Sequence, residues 1–107
     1  MRVCIVSNLP ENLKPVLEQA GHEVATCLST DTALAVAEKH GSDVVVFCDD
    51  VAETGGVTRE EALRALKKHF RIVLVASRDN RLVVFAAGLM VRDFVFIPAS
   101  PAAILYR

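Results

Sequence analysis

The stretch VVVFCDDVAETGG, residues 44 to 56, runs from an apolar segment into a thiol, two carboxylates and a pair of glycines. Carboxylates released at the end of a buried strand can hold a hard cation such as Mg²⁺ or accept a phosphoryl group. A thiol placed there becomes a nucleophile or redox centre where its surroundings lower its pKa. Asp49 and Asp50 are the acidic candidates and Cys48 is the thiol candidate. Each also has a plainer reading. No histidine stands near Cys48 in the sequence, and free cysteine is among the most buried residue types, so packing accounts for it better than reactivity. Asp49 and Asp50 fit residues that cap or solvate the loop ending in Gly55 and Gly56. Those glycines do not make a phosphate cradle, because neither the P-loop nor the dinucleotide pattern is present. The first strand-to-helix loop, SNLPENLK, holds no glycine at all, so nucleotide binding is not expected.

The three histidines show no metal-ligand spacing. His22 follows a helix-ending glycine, and His40 and His69 are expected in the last turns of helices, where a partly charged imidazole interacts favourably with the helix dipole. No metal or cofactor is expected. Of the 107 residues 52% are apolar, and the formal net charge is -1. One compact domain spanning residues 1 to 107 follows, large enough for an ordinary core without disulfides or metals. There is no basic footprint for nucleic acid and no apolar run of the roughly 20 residues a membrane span needs. Cys4, Cys27 and Cys48 are odd in number and lie inside apolar runs, which suits a reduced, cytoplasmic chain. Met1 leads straight into a strand pattern, so no signal peptide is expected.

Apolar runs rich in Val and Ile predict five strands, at residues 3–6, 24–28, 44–48, 72–75 and 94–97. Helical spacing lies between them. Leu13, Val16 and Leu17 precede a stop at Ala20 and Gly21; Ala33, Leu34, Val36 and Ala37 precede His40 and Gly41. Thr58 and Glu61 have the spacing of a capping box ahead of Leu63, Ala65 and Leu66. Ser100 and Pro101 suit the start of a last helix. Strict alternation predicts a doubly wound α/β domain, a parallel sheet with helices on both faces. Chemistry in such sheets gathers at the strands' carboxyl ends. The last helix has only about seven residues before Arg107, which suggests a shortened edge or a domain cut from a longer protein.

With these loops located, the chain resembles the receiver (CheY-like) domains of bacterial response regulators over nearly its whole length. SDVVVFCDDVAETGG matches the family's third strand and following loop, with Asp43 and Gly56 in the usual spacing. VRDFVFIPASPAAIL resembles its fifth strand and capped last helix, and RVCIVSNLPENLKPVLEQAGHEV fits its first β-α-β unit. The resemblance implies a three-layer flavodoxin-like fold with five parallel strands in the order 2-1-3-4-5. It also implies a phosphoryl-accepting aspartate, a Mg²⁺ held by an acidic pair, a hydroxyl and a lysine. Here the acidic pair aligns with Ser7 and Asn8, the acceptor with Cys48, the hydroxyl with Val75, and the lysine of the Lys-Pro pair with Ile97. Asp49 and Asp50 fall one and two places late, and a one-residue slip turns a strand side chain to the opposite face. The expectation is a pseudo-receiver, not an enzyme, that keeps the scaffold without phosphotransfer. By the resemblance the Ile97–Pro98 bond would be cis. The alternatives are a phosphoacceptor using Asp49 with Mg²⁺, a thiol-based sensor at Cys48, and a small ligand over the strand ends.

In residues 80 to 91, NRLVVFAAGLMV, apolar side chains fill nearly every position of a presumed surface helix. A helix apolar all round seeks burial or a partner. By the resemblance, this helix, the fifth strand and the last helix form an output and dimerisation face. Ala86, Leu89 and Met90 are its expected exposed contacts, supported by Phe94 and Phe96. Phe94 aligns with the aromatic that moves on activation and is expected to be fixed in the core. The partners such a face would take are a protein, an attached output domain or a second copy, in bacterial signal transduction.

Overall fold

The computed structural model describes residues 1–76 and 81–96 of the chain. Five strands form one parallel sheet, β1 (Arg2–Val6), β2 (Glu23–Cys27), β3 (Val44–Cys48), β4 (Arg71–Ala76) and β5 (Asp93–Phe96), in the order β2-β1-β3-β4-β5. The helices are α1 (Lys14–Gln19), preceded by a 3-10 turn at Pro10–Asn12, then α2 (Ala33–His40), α3 (Arg59–Lys67) and α4 (Arg81–Gly88). The expected strands are all present. Their starts move outward to Arg2, Glu23, Arg71 and Asp93, because charged residues at a sheet's rim keep their backbone in the ladder while their side chains reach water. Leu28 falls outside β2 and is 57% exposed. Ile97, Pro98, their peptide bond and the expected last helix from Ser100 lie outside the described residues.

Register sorts the strand side chains into rows that share a face. Cys4, Val45 and Ile72 are neighbours across β1, β3 and β4, and Val6, Phe47, Leu74 and Phe94 form the next such row. Against these rows pack Ala33 and Ala37 of α2, Leu63 and Leu66 of α3, and Leu82 and Ala86 of α4. Burying one large apolar side chain in such a layer contributes about 1.5–3 kcal/mol. Among the described residues the core therefore lies mainly between the sheet and α2, α3 and α4. On the opposite face Val3 and Ile5 are buried, whereas Val44, Val46 and Val73 are only partly covered.

Local signals end the helices where the sequence predicts. Gly41 takes a left-handed φ of 66° after α2, which lets its N–H reach the Glu38 carbonyl and the Ser42 N–H reach that of Ala37. This closure satisfies carbonyls that the helix leaves over. Thr58 caps α3, its hydroxyl accepting the Glu61 N–H at 3.1 Å. His40 closes α2, with its Nε2 3.2 Å from the Glu23 carbonyl oxygen. His69 lies beyond the end of α3 rather than in its last turn, since Lys68 already serves as the C-cap.

Candidate functional site at the carboxyl ends of the strands

The chain leaves β1 at Ser7, whose N–H still donates to the Cys27 carbonyl at 3.0 Å and whose side chain is buried. A buried hydroxyl needs partners, and Ser7 finds several. Its Oγ donates to Asp50 Oδ1 at 3.1 Å and accepts the Leu9 N–H at 3.1 Å. The Asn8 N–H donates to the same Asp50 oxygen at 3.1 Å. Asp50, two residues past the end of β3, thus folds back over the end of β1 and ties the two loops together.

Cys48 ends β3 with 5% of its surface exposed, and in register beside it on β4 stands Val75, equally buried. The Asp49 N–H adds one more rung to that pair of strands, donating to the Val75 carbonyl at 2.9 Å. Asp49 itself is half-buried. The structure therefore brings Ser7, Asn8, Cys48, Asp50 and Val75 to one end of the sheet, with Asp49 adjoining. Ile97 and Pro98, the remaining positions, lie outside the described residues.

The thiols here are poor nucleophiles. Burial pushes the Cys48 pKa up to about 11, and the Asp50 and Asp49 carboxylates push the same way, against a hydrogen bond from Ser7. Burial, with Cys27 nearby, raises Cys4 to about 12. A rise of two units from the ordinary value of 9.0 cuts the thiolate fraction about a hundredfold. Native-state alkylation of Cys48 by iodoacetamide at pH 8 is therefore expected to run at least about a hundredfold slower than that of an unfolded cysteine. Mass spectrometry of the native chain over time checks this, and a single rapid alkylation at Cys48 would contradict it.

A second polar cluster escaped sequence reasoning. Thr30, buried in the loop after β2, donates to the Val57 carbonyl at 2.7 Å and accepts the Thr54 N–H at 3.0 Å. Its own N–H donates to the Ala52 carbonyl at 3.0 Å. Thr54 in turn donates to Asp31 at 2.5 Å, and this hydroxyl, with that of Ser29, holds the Asp31 carboxyl below the usual carboxylate range. Gly55 passes so close, at φ 59°, that a Cβ there would meet Asp31 Oδ2 at 2.7 Å. The other side of the loop is pinned by Arg59, whose Nε donates to the Val51 carbonyl at 2.8 Å. The only sequence signal was the crowding of Ser, Thr and Asp at residues 29 to 32, which also suits an ordinary helix start.

The expected interaction face needs one correction. Ala86 is fully buried against the core, because α4 presents Leu82 and Ala86 inward and Val84 outward, 77% exposed. Met90 is 62% exposed, Leu89 and Phe94 are half-buried, and Phe96 is exposed and stacked on Phe94 with ring centres 6.4 Å apart. Val84 and Val95 were missed as exposed apolar residues. With apolar side chains at nearly every position, the segment carries no contrast from which to read the helix's inward phase.

No protein-family model matches the sequence, and no curated protein matches it. The architecture does match solved structures. The BeF3-activated N-terminal receiver domain of Klebsiella pneumoniae RstA aligns over 100% of this chain and 94% of its own, with a TM-score of 0.76 and 20% identity. The fold is that of a response-regulator receiver domain. TrrA of Thermotoga maritima, solved in complex with Mg²⁺-BeF, aligns over 98% of this chain and 93% of its own (TM-score 0.73, 19% identity). NtrX from Brucella abortus aligns over 98% of this chain but 25% of its own (TM-score 0.74, 18% identity). On this receiver fold, the strand-end residues do not fit the Mg²⁺ that the fold's relatives imply. Ser7, Asn8 and Cys48 bring no negative charge at neutral pH, and Asp50 already accepts from Ser7 and Asn8. Among the described residues, no three His, Cys, Asp or Glu side chains converge to hold a metal ion. Nor is any helix among them long and apolar enough to cross a membrane.

Proposed function

We propose that this chain is an atypical receiver domain of a bacterial two-component system, working in the cytoplasm without phosphotransfer and signalling through protein–protein recognition. The observation that carries the reading is the strand-end cluster. The residue aligned with the phosphoryl acceptor is a buried thiol with a raised pKa, packed beside Val75. Phosphoryl transfer needs charge neutralisation at this spot, and the Asp50 carboxylate is taken up by Ser7 and Asn8. The exposed apolar side chains of Val84, Met90 and Phe96 supply a recognition surface for an attached output domain, a protein partner or a second copy. That NtrX carries the matching region as 25% of a longer chain is consistent with attachment to other modules.

The test is incubation of the folded chain with Mg²⁺ and a small phosphodonor such as acetyl phosphate, followed by intact-mass measurement. The expected outcome is an unchanged mass. One added phosphoryl group, mapped to Asp49 and removed by hydroxylamine, would overturn the proposal and restore a working switch.

A further inference from the structure

β2 forms one edge of the sheet, and only its inner side is paired. The Glu23 N–H donates to the Met1 carbonyl at 3.1 Å and the Cys27 carbonyl accepts from the Ser7 N–H at 3.0 Å, which sets the phase of the ladder with β1. Glu23, Ala25 and Cys27 therefore turn their backbone groups toward β1, while Val24 and Thr26 turn their N–H and C=O groups to the open edge. Such an edge is a template for another strand unless Lys, Pro, a bulge or a covering element blunts it. The sequence of β2, Glu-Val-Ala-Thr-Cys, holds neither Lys nor Pro, and its register with β1 runs without a bulge. Its single charge, Glu23, stands at the first position and is paired with Arg2 at 3.2 Å. Thr26, on the outer side, is exposed.

Two further features lie along this edge. Between α2 and β2 runs a groove of about 340 Å³ lined by Ala25, Val36, Lys39 and His40. Just past the strand, Leu28 follows Val24 and Thr26 in the alternation and is 57% exposed. The edge is also self-complementary. In an antiparallel pair with a two-fold axis at Ala25, Val24 of each copy faces Thr26 of the other, and these two hydrogen-bonded pairs take up every outward backbone group. Ala25 then meets Ala25 at the non-hydrogen-bonded position, where Cα atoms come within about 4.5 Å. A small side chain fits there, beneath the helices.

We propose that the open edge of β2 takes the β2 edge of a second copy of this chain, antiparallel about Ala25, so that two sheets join into one. The contact is isologous and closes at the dimer. α2 rests over β1 and β2, so a strand spacing of about 4.8 Å sets the two α2 helices roughly 10 Å apart, near the distance of packed helices. They fill each other's groove. Because Val36, Lys39 and His40 line that groove with Ala25, the last turn of α2 is level with the axis. There the exposed Glu38 and Lys39 of one helix meet Lys39 and Glu38 of the antiparallel other, and opposite charges pair. On the far side of the sheet, Leu28 packs beside His22 and Val24 of the second copy. This surface is separate from the exposed apolar face of α4, and the proposal stands whether or not phosphotransfer has been lost.

The experiment is sedimentation velocity of the full chain across a wide range of concentration, joined to amide exchange at its two ends. A dimer that grows with concentration is expected, with slowed exchange at the Val24 and Thr26 amides and none at Ala25, whose N–H is already bonded to β1. Thr26→Pro removes an N–H that the monomer leaves unpaired, a change edge strands tolerate, and Thr26→Lys adds the kind of charge that blunts an edge. Each is expected to weaken the dimer at least about tenfold while the Tm of the dilute chain is retained. Val84→Glu, on α4, is expected to dimerise as the parent does. A chain that stays monomeric throughout would overturn the proposal and leave the edge to a strand of another protein. A dimer kept by both Thr26 variants and lost in Val84→Glu would also overturn it, and would assign self-association to α4.

Discussion

Cys48→Asp is expected to destabilise the chain by about 3–5 kcal/mol at pH 7, the range for an uncompensated buried charge, and by much less near pH 4. The position is 5% exposed, lies between Val75 and the end of β1, and has Asp49 and Asp50 close enough to oppose a further negative charge. A carboxyl there has its folded pKa raised above the unfolded value of about 3.9. The sign follows from linkage. Below the unfolded pKa the group is protonated in both states and costs nothing electrostatically. As pH rises toward the folded pKa, the unfolded chain ionises first and stability falls. Urea unfolding of the variant and the parent at pH 4 and pH 7, compared at each pH, measures the effect, with Cys48→Ser as a control for the lost packing. A variant as stable as the control at pH 7, or one rescued by millimolar Mg²⁺, would show that the pocket still hosts an anionic acceptor.

Thr30→Val should cost about 2–4 kcal/mol although it conserves shape, because it strips partners from two backbone groups at once. The Thr54 N–H and the Val57 carbonyl, both part-buried, would lose the Thr30 hydroxyl, and each such group left unsatisfied costs about 1–2 kcal/mol, the lower part of the range for buried groups. Thr30→Ser keeps both bonds and is expected to lose only about 1 kcal/mol for the missing methyl. The functional consequence is local. Thr30, Thr54 and Asp31 latch the loop after β3 to the loop after β2, so the valine variant should also show faster amide exchange at Thr54. A valine variant equal in stability to wild type, with unchanged exchange, would mean the latch contributes nothing.

Particular residues show where sequence reasoning sufficed. The Val-rich runs predicted the strands because parallel strands covered on both faces need apolar residues at nearly every position. Gly41 marked a helix end because the left-handed closure favours a residue without a Cβ. Thr58 announced α3 through a contact three residues away. Counting from Asp43 to Gly56 placed Cys48 at the end of the third strand, and the register now sets it beside Val75. Ala86 was misread as exposed, since periodicity reports direction only where polar and apolar positions contrast.

The sequence by itself determined the alternation of strands and helices, the helix ends and the neutral character of the strand-end positions, because each is set by residues within a few places of one another. Only the tertiary structure decided that Asp50 turns back onto Ser7 and Asn8, that Thr30 latches two loops, and that Arg71 pairs with Asp93 across β4 and β5. Those contacts join residues about 20 to 43 positions apart. Their partners are chosen by how the sheet brings distant loops together and by the need to satisfy polar groups removed from water, and no local pattern encodes either.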